Sequence, residues 1–195
     1  MEGQTGQLFY LAVALPFVAA ILAPSVHKLL GRFSAYALAL FPAVAFALIF
    51  AVSEQIQGRE IFLFGFDWVP TFDVRFSFRL DGLSYAFALL ILGIGALVVL
   101  YSGGYLSKSD KLGRFYSYIF LFMGAMLGLV LADDLMTLFI FWELTSITSF
   151  LLIGFQHERE AARRGAIQAL VITGAGALAL LAGFVLILSL IHISE

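Results

Sequence analysis

The chain of 195 residues contains no cysteine. Disulfides, thiolate metal sites and cysteine-ligated iron–sulfur clusters are therefore excluded. Charge is scarce as well: Asp, Glu, Lys and Arg make up 12% of the residues, and they nearly cancel to a net −2. That balance does not point to nucleic acid or to an acidic ligand. Only three histidines are present, His27, His157 and His192, and they share no spacing that reads as a metal site. The first Lys or Arg is Lys28. A cleavable secretory signal begins with a basic region, and the start MEGQTGQ is acidic and then polar, so the first apolar segment should stay in the mature protein. No residue pattern implies a cofactor.

Apolar residues fill the rest. They make up 62% of the chain, against roughly 45–50% in a soluble domain. The composition predicts an all-α integral membrane protein set in a lipid bilayer. A spanning helix takes roughly 20 apolar residues. About six segments qualify, approximately Leu8–Leu30, Phe33–Val52, Leu83–Tyr101, Phe115–Ala132, Leu135–Phe155 and Ala166–Leu188. Pro16 and Pro24 should kink the first segment or end it early. Gly124 and Gly128 form a GxxxG pattern, which predicts close helix packing. GAGALALLAG, from Gly174, lacks the Gly-Lys-Ser/Thr of a phosphate loop.

Between the second and third segments the period changes from helix to strand. In TFDVRFSFRLDG, Phe72, Val74, Phe76, Phe78 and Leu80 alternate with Asp73, Arg75, Ser77, Arg79 and Asp81. Phe62, Phe64, Phe66 and Trp68 alternate upstream. With Val69-Pro70-Thr71 between them, the two runs predict an external β-hairpin. A lone hairpin is marginal, so it should lie on helix ends or on a neighbouring subunit.

Basic residues set the orientation. Alternate loops carry Lys28 and Arg32, then Lys108, Lys111 and Arg114, then Arg159, Arg163 and Arg164. The opposite set carries only Arg59, Arg75 and Arg79. The first set is expected in the cytoplasm, with the N-terminus outside.

The final octapeptide, LSLIHISE, resembles a read-through translation of the transposase mosaic-end adaptor used in sequencing libraries. Residues 1–187 are read as the N-terminal part of a transmembrane domain, and residues 188–195 as adaptor sequence. On that reading His192 and Glu195 have no biological meaning.

Within the fifth segment, FIFWELTSITSF carries one carboxylate, Glu143. No other charged residue occurs from Leu135 to Gln156. A mid-span acid costs about 2.5–3.5 kcal/mol on insertion scales. Every Lys and Arg lies in a loop or at a segment end, so no cation balances it at that depth. Either Glu143 is protonated, or its cation lies in sequence that is not here. The two answers can be two states of one proton-passing cycle. Ser146 and Ser149 follow at steps of three, and Thr145 and Thr148 lie nearby, a polar track able to hold water or bond other helices. The structural alternative is a neutral glutamate in a packed bundle, with Ser and Thr as interhelical glue.

Further candidates lie at the segment ends. Asp133 and Asp134 suit either ion access or N-capping of the fifth helix. Asp81 has the same capping reading at the third. His157, in QHEREAARRG, is a solvated loop histidine or part of a proton relay. The charges of that loop set topology, bind headgroups or meet a cytoplasmic partner. His27 and Lys28 read as a cytoplasmic helix end.

Together these residues resemble a known family. LDGLSYAFALLILGIGALVVLYSGGYL, then GRFYSYIFLFMGAMLGLVLADDLMTLFIFWELTSITSFLLIGFQHERE, is similar to the A subunit of the multisubunit (Mrp-type) sodium/proton antiporter. The wider superfamily includes antiporter-like subunits of respiratory complex I and of membrane-bound hydrogenases. The resemblance implies an N-terminal portion of a longer, non-enzymatic secondary transporter subunit in the bacterial cytoplasmic membrane. It implies other antiporter subunits as partners, and sodium or another monovalent cation and protons as cargo. Glu143 aligns with a family glutamate that pairs with a lysine in a later, broken helix. That lysine would lie beyond Ile187. Where many relatives have Gln-Lys after RRGA, this chain has Ile167-Gln168. Two rivals stand beside this reading: a proton-pumping arm of a quinone reductase or hydrogenase, and a structural assembly subunit.

Overall fold

A computed structural model of the protein describes residues 2–57, 61–69, 74–106 and 111–194. Helices dominate: α1 (Glu2–Leu30), α2 (Ser34–Phe50), the short α3 (Ser53–Gln57), α4 (Gly82–Tyr105), α5 (Leu112–Leu131), α6 (Leu135–Ile153) and α7 (Glu160–Ser194). Two strands, β1 (Phe62–Val69) and β2 (Val74–Leu80), stand between α3 and α4.

Among the described residues, five helical stretches are long and apolar enough to cross a membrane, where the sequence reading has about six. The first is Phe9–Phe50, 42 residues that hold most of α1 and all of α2. No polar loop divides them. The chain turns through Gly31–Phe33, where Gly31 takes the left-handed φ of 53° that favours glycine. α2 then packs back on α1. The protein is thus a multi-pass membrane protein. Leu83, Leu90, Leu97, Val171, Ile172 and Leu178 point outward, which suits lipid as the solvent.

α1 does not end at Pro16 or Pro24 but runs through both. Pro42 likewise lies inside α2. Membrane helices tolerate this because packed neighbours re-satisfy the freed backbone groups.

Four helices form a closed ring: α1 packs on α2 and α5, α2 on α4, and α4 on α5. Its core holds Leu38, Leu92, Val99, Tyr116, Phe120, Leu127 and Leu131, all below 2% exposed. α6 packs on α5, and α7 on α6. The GxxxG glycines serve close packing in a particular way. Gly124 faces the Phe17 ring of α1, and Gly128 faces the Phe141 ring of α6. A Cβ at either position would overlap the ring.

The strands form an antiparallel pair in the register Phe62↔Leu80, Phe64↔Phe78 and Phe66↔Phe76, with an irregularity between Asp67 and Val69. β2 begins at Val74, and Pro70 to Asp73 lie outside the described residues. The hairpin lies against helices. Phe64 stacks on Phe9 of α1 at 4.5 Å between ring centroids. Phe76 and Phe78 meet Phe141 of α6 at 5.7 and 5.8 Å.

Candidate functional site

The α5–α6 junction anchors the site, and Asp134 is its cap. Asp134 Oδ1 accepts from the backbone N–H groups of Met136 and Thr137, both at 2.9 Å. Of the two adjacent acids, Asp134 therefore caps α6. Its Oδ2 accepts from Ser77 N at 3.2 Å, from Ser77 Oγ at 2.7 Å and from the Thr137 hydroxyl. The Ser77 N–H also donates to Thr137 Oγ1 at 3.1 Å, and the Ser77 carbonyl accepts from Asp133 N at 3.0 Å. Ser77 is thus held on both backbone groups by the junction, which covers the open edge of β2.

Burial acts to raise the Asp134 carboxyl. The hydrogen bonds from Thr137 and Ser77 outweigh it and hold the group below its ordinary value. Asp81 is also held low, chiefly by the Ser84 backbone N–H. It caps α4 in a capping box with Ser84. Arg79 spans Asp81, at 3.4 Å, and Asp133, at 3.9 Å.

Glu143 stands near the middle of α6, half-buried, two residues after the clamped Phe141. Its Oε1 is buried and has no hydrogen-bond partner among the described residues. A buried polar atom left unpaired costs about 1–3 kcal/mol, and more when charged.

The nearby hydroxyls turn to their own helix. Ser146 Oγ donates to the Trp142 carbonyl at 3.3 Å, and Thr145 Oγ1 donates to the same carbonyl at 2.7 Å. Thr148 Oγ1 donates to the Leu144 carbonyl at 2.8 Å. Ser146 is buried and Ser149 half-buried. These bonds satisfy hydroxyls within α6 and leave Glu143 without a share of them.

His157 is exposed in the turn between α6 and α7, with Nε2 3.7 Å from the Glu158 carboxylate. Glu158 is exposed, and it is held below its ordinary value chiefly by its contact with Lys111. His157 lies fourteen residues beyond Glu143, roughly 21 Å along a helix. His157 therefore belongs to the loop and not to the immediate surroundings of Glu143. Among the described residues no group of His, Asp and Glu is arranged to hold a metal ion.

Sequence reasoning missed two participants, Ser77 and Thr137. Ser77 alternates like a solvated strand residue, and Thr137 reads as ordinary helix. Only the pairing of β2 with the α5–α6 junction gives Ser77 its partners and brings Thr137 a second one beside Asp134.

Fold and site define a class: a polytopic helical membrane protein with, inside one of its helices, a carboxylate oxygen that is unpaired among the described residues. The chain belongs to the proton-antiporter family of membrane subunits. Residues 67–116 match the family described as NADH-ubiquinone oxidoreductase (complex I), chain 5 N-terminus. Residues 132–192 match NADH:quinone oxidoreductase/Mrp antiporter, TM. Over 181 residues, or 92% of the chain, it is 46% identical to a protein named as the A1 subunit of a Na(+)/H(+) antiporter from Staphylococcus haemolyticus (strain JCSC1435). It is 45% identical over the same share to the protein of that name from Staphylococcus aureus. The match takes in 22% and 23% of those two proteins, so the chain spans under a quarter of their length. Among solved structures, a chain of the Mrp complex from Dietzia sp. DQ12-45-1b superposes with a TM-score of 0.78 at 34% identity. That match covers 89% of this chain and 18% of the other. A chain of an archaeal membrane-bound sulfane sulfur reductase shares the fold, with a TM-score of 0.70 at 18% identity over 88% of this chain and 26% of that one.

Proposed function

We propose that this chain is part of a multisubunit antiporter exchanging sodium, or another monovalent cation, for protons across a bacterial cytoplasmic membrane. Glu143 is its proton-coupling carboxylate. The observation that carries this reading is the Glu143 Oε1, buried in α6 within FWELTS without a partner among the described residues. Such a group is tolerable when neutral, and when charged only beside a cation or water. The cation is a lysine in a later helix, beyond Ile187, and residues 188–195 are adaptor sequence. Ser146 and Ser149 line the path. Asp133, Asp134 and His157 contribute at its ends at most. The names of the Staphylococcus relatives support sodium and protons as cargo.

In the membrane, α1 and α2 cross separately, giving six crossings, with the N-terminus and the hairpin outside. The basic residues at the helix ends and turns near Lys28, Lys111 and Arg159 support that orientation. Partners are the other antiporter subunits and the bilayer.

The family description also names NADH:quinone oxidoreductase, which favours a second reading, a redox-driven proton pump. One experiment separates the two. In inverted vesicles holding the complete complex, sodium alone should dissipate a preformed proton gradient. A response that requires a reductant and a quinone would move the chain to the redox class.

A further inference from the structure

Four polar side chains meet at the basic end of the ring, one from each of its helices. They are His27 of α1, Ser34 of α2, Ser102 of α4 and Tyr116 of α5. The Tyr116 side chain is fully buried, and the Ser34 and Ser102 hydroxyls lie close to its own, but neither meets it in well-formed hydrogen-bond geometry. His27 Nδ1 lies 2.9 Å from Ser34 Oγ, and the His27 ring meets the Tyr116 ring edge-on at 6.3 Å. Ser102 Oγ donates to the Val99 carbonyl at 2.9 Å, which leaves its own lone pairs free to accept. The four helices crowd closely here. A Cβ at Gly103 would come within 3.1 Å of the Tyr116 hydroxyl, and one at Gly113 within 3.2 Å of His27 Cβ.

We propose that this cluster is a water-binding site through which protons reach the membrane interior from the basic side, with His27 as its outermost group. A water accepting from Tyr116 and donating to Ser34 or Ser102 would complete the bonding that these three hydroxyls do not form well among themselves, as buried waters commonly do. The donor set is hydroxyl and imidazole with no carboxylate, which suits water and protons better than a metal cation. The charged groups around it are otherwise placed. Lys28 is exposed, Arg32 sits over the Phe33 ring, Lys111 contacts Glu158, and Arg114 sits over Phe155. On the α2 and α4 sides, Tyr36, Tyr101 and Tyr105 are exposed. α5 packs on both α1 and α6, so it connects the site to the helix of Glu143. The proton role rests on the antiport reading; the water does not.

Hydroxyl-radical footprinting of the complete complex tests the water directly. Phe120, one turn further along α5 and equally buried, is the dry reference. Tyr116 should be oxidised several-fold faster than Phe120. Equal, slow labelling of the two would overturn the proposal. Tyr116→Phe keeps the ring and removes the hydroxyl. With assembly intact, it should lower sodium-driven proton flux several-fold without changing the apparent sodium affinity. Ser102→Ala should act in the same direction. Unchanged flux in both variants would remove the site from the path. Wild-type vesicles without sodium-driven flux would sink the antiport reading and leave the footprint of the water standing.

Discussion

The Asp134 carboxylate at the start of α6 binds both the backbone N–H and the hydroxyl of Ser77 in β2. One side chain therefore caps a helix and ties down a hairpin. The helix it caps carries Glu143.

Asp134→Ala should destabilise the protein by about 1–2 kcal/mol from the lost cap alone. Loss of the Ser77 bonds adds to this. Thermal unfolding in detergent reads the change. Because the folded carboxyl is held below its ordinary value, its contribution is complete above that ordinary value. It is lost as the pH falls through the lowered one. The difference between wild type and variant should therefore be constant near neutrality and shrink in acid.

Gly128 gives the Phe141 ring its place. Gly128→Val should cost about 1–3 kcal/mol through overpacking. Combining it with Phe141→Ala should recover part of the loss, since the two changes share one contact. Independent, additive losses would contradict the packing described here.

The absence of cysteine gives a clean topology test in this chain. Leu63 is 64% exposed on the hairpin. Leu63→Cys should react with a membrane-impermeant maleimide added to intact cells. Arg159→Cys, in the exposed turn after α6, should react only once the membrane is opened. The reverse pattern would invert the proposed orientation.

Much of this is legible in the sequence, for physical reasons. Apolar runs near bilayer length mark the helices, and the period-two run from Val74 to Leu80 marks β2. Two parts are less legible. The break between the first two helices falls where the first two segments part, but it is only a three-residue turn at Gly31 inside one continuous apolar stretch, so composition marks it weakly. Prolines that end helices in water do not end α1. At the site, Glu143 stands out because charge is so rare around it. Asp133 and Asp134 cannot be separated by sequence, because either spacing suits a cap. Ser77 carries no local signal, since its partners Asp134 and Thr137 lie on another element, and the neighbours of Tyr116 come from three other helices.

The central claim is that Glu143 carries the coupled proton. The most direct test is the Glu143→Gln variant of the complete complex, purified, checked for subunit composition and reconstituted into vesicles. The account predicts normal assembly and no sodium-driven proton movement, because Gln cannot take up or release the proton. Wild-type exchange from the variant would contradict it. So would a variant that loses its assembly while the complexes that do form exchange normally, because Glu143 would then be structural glue.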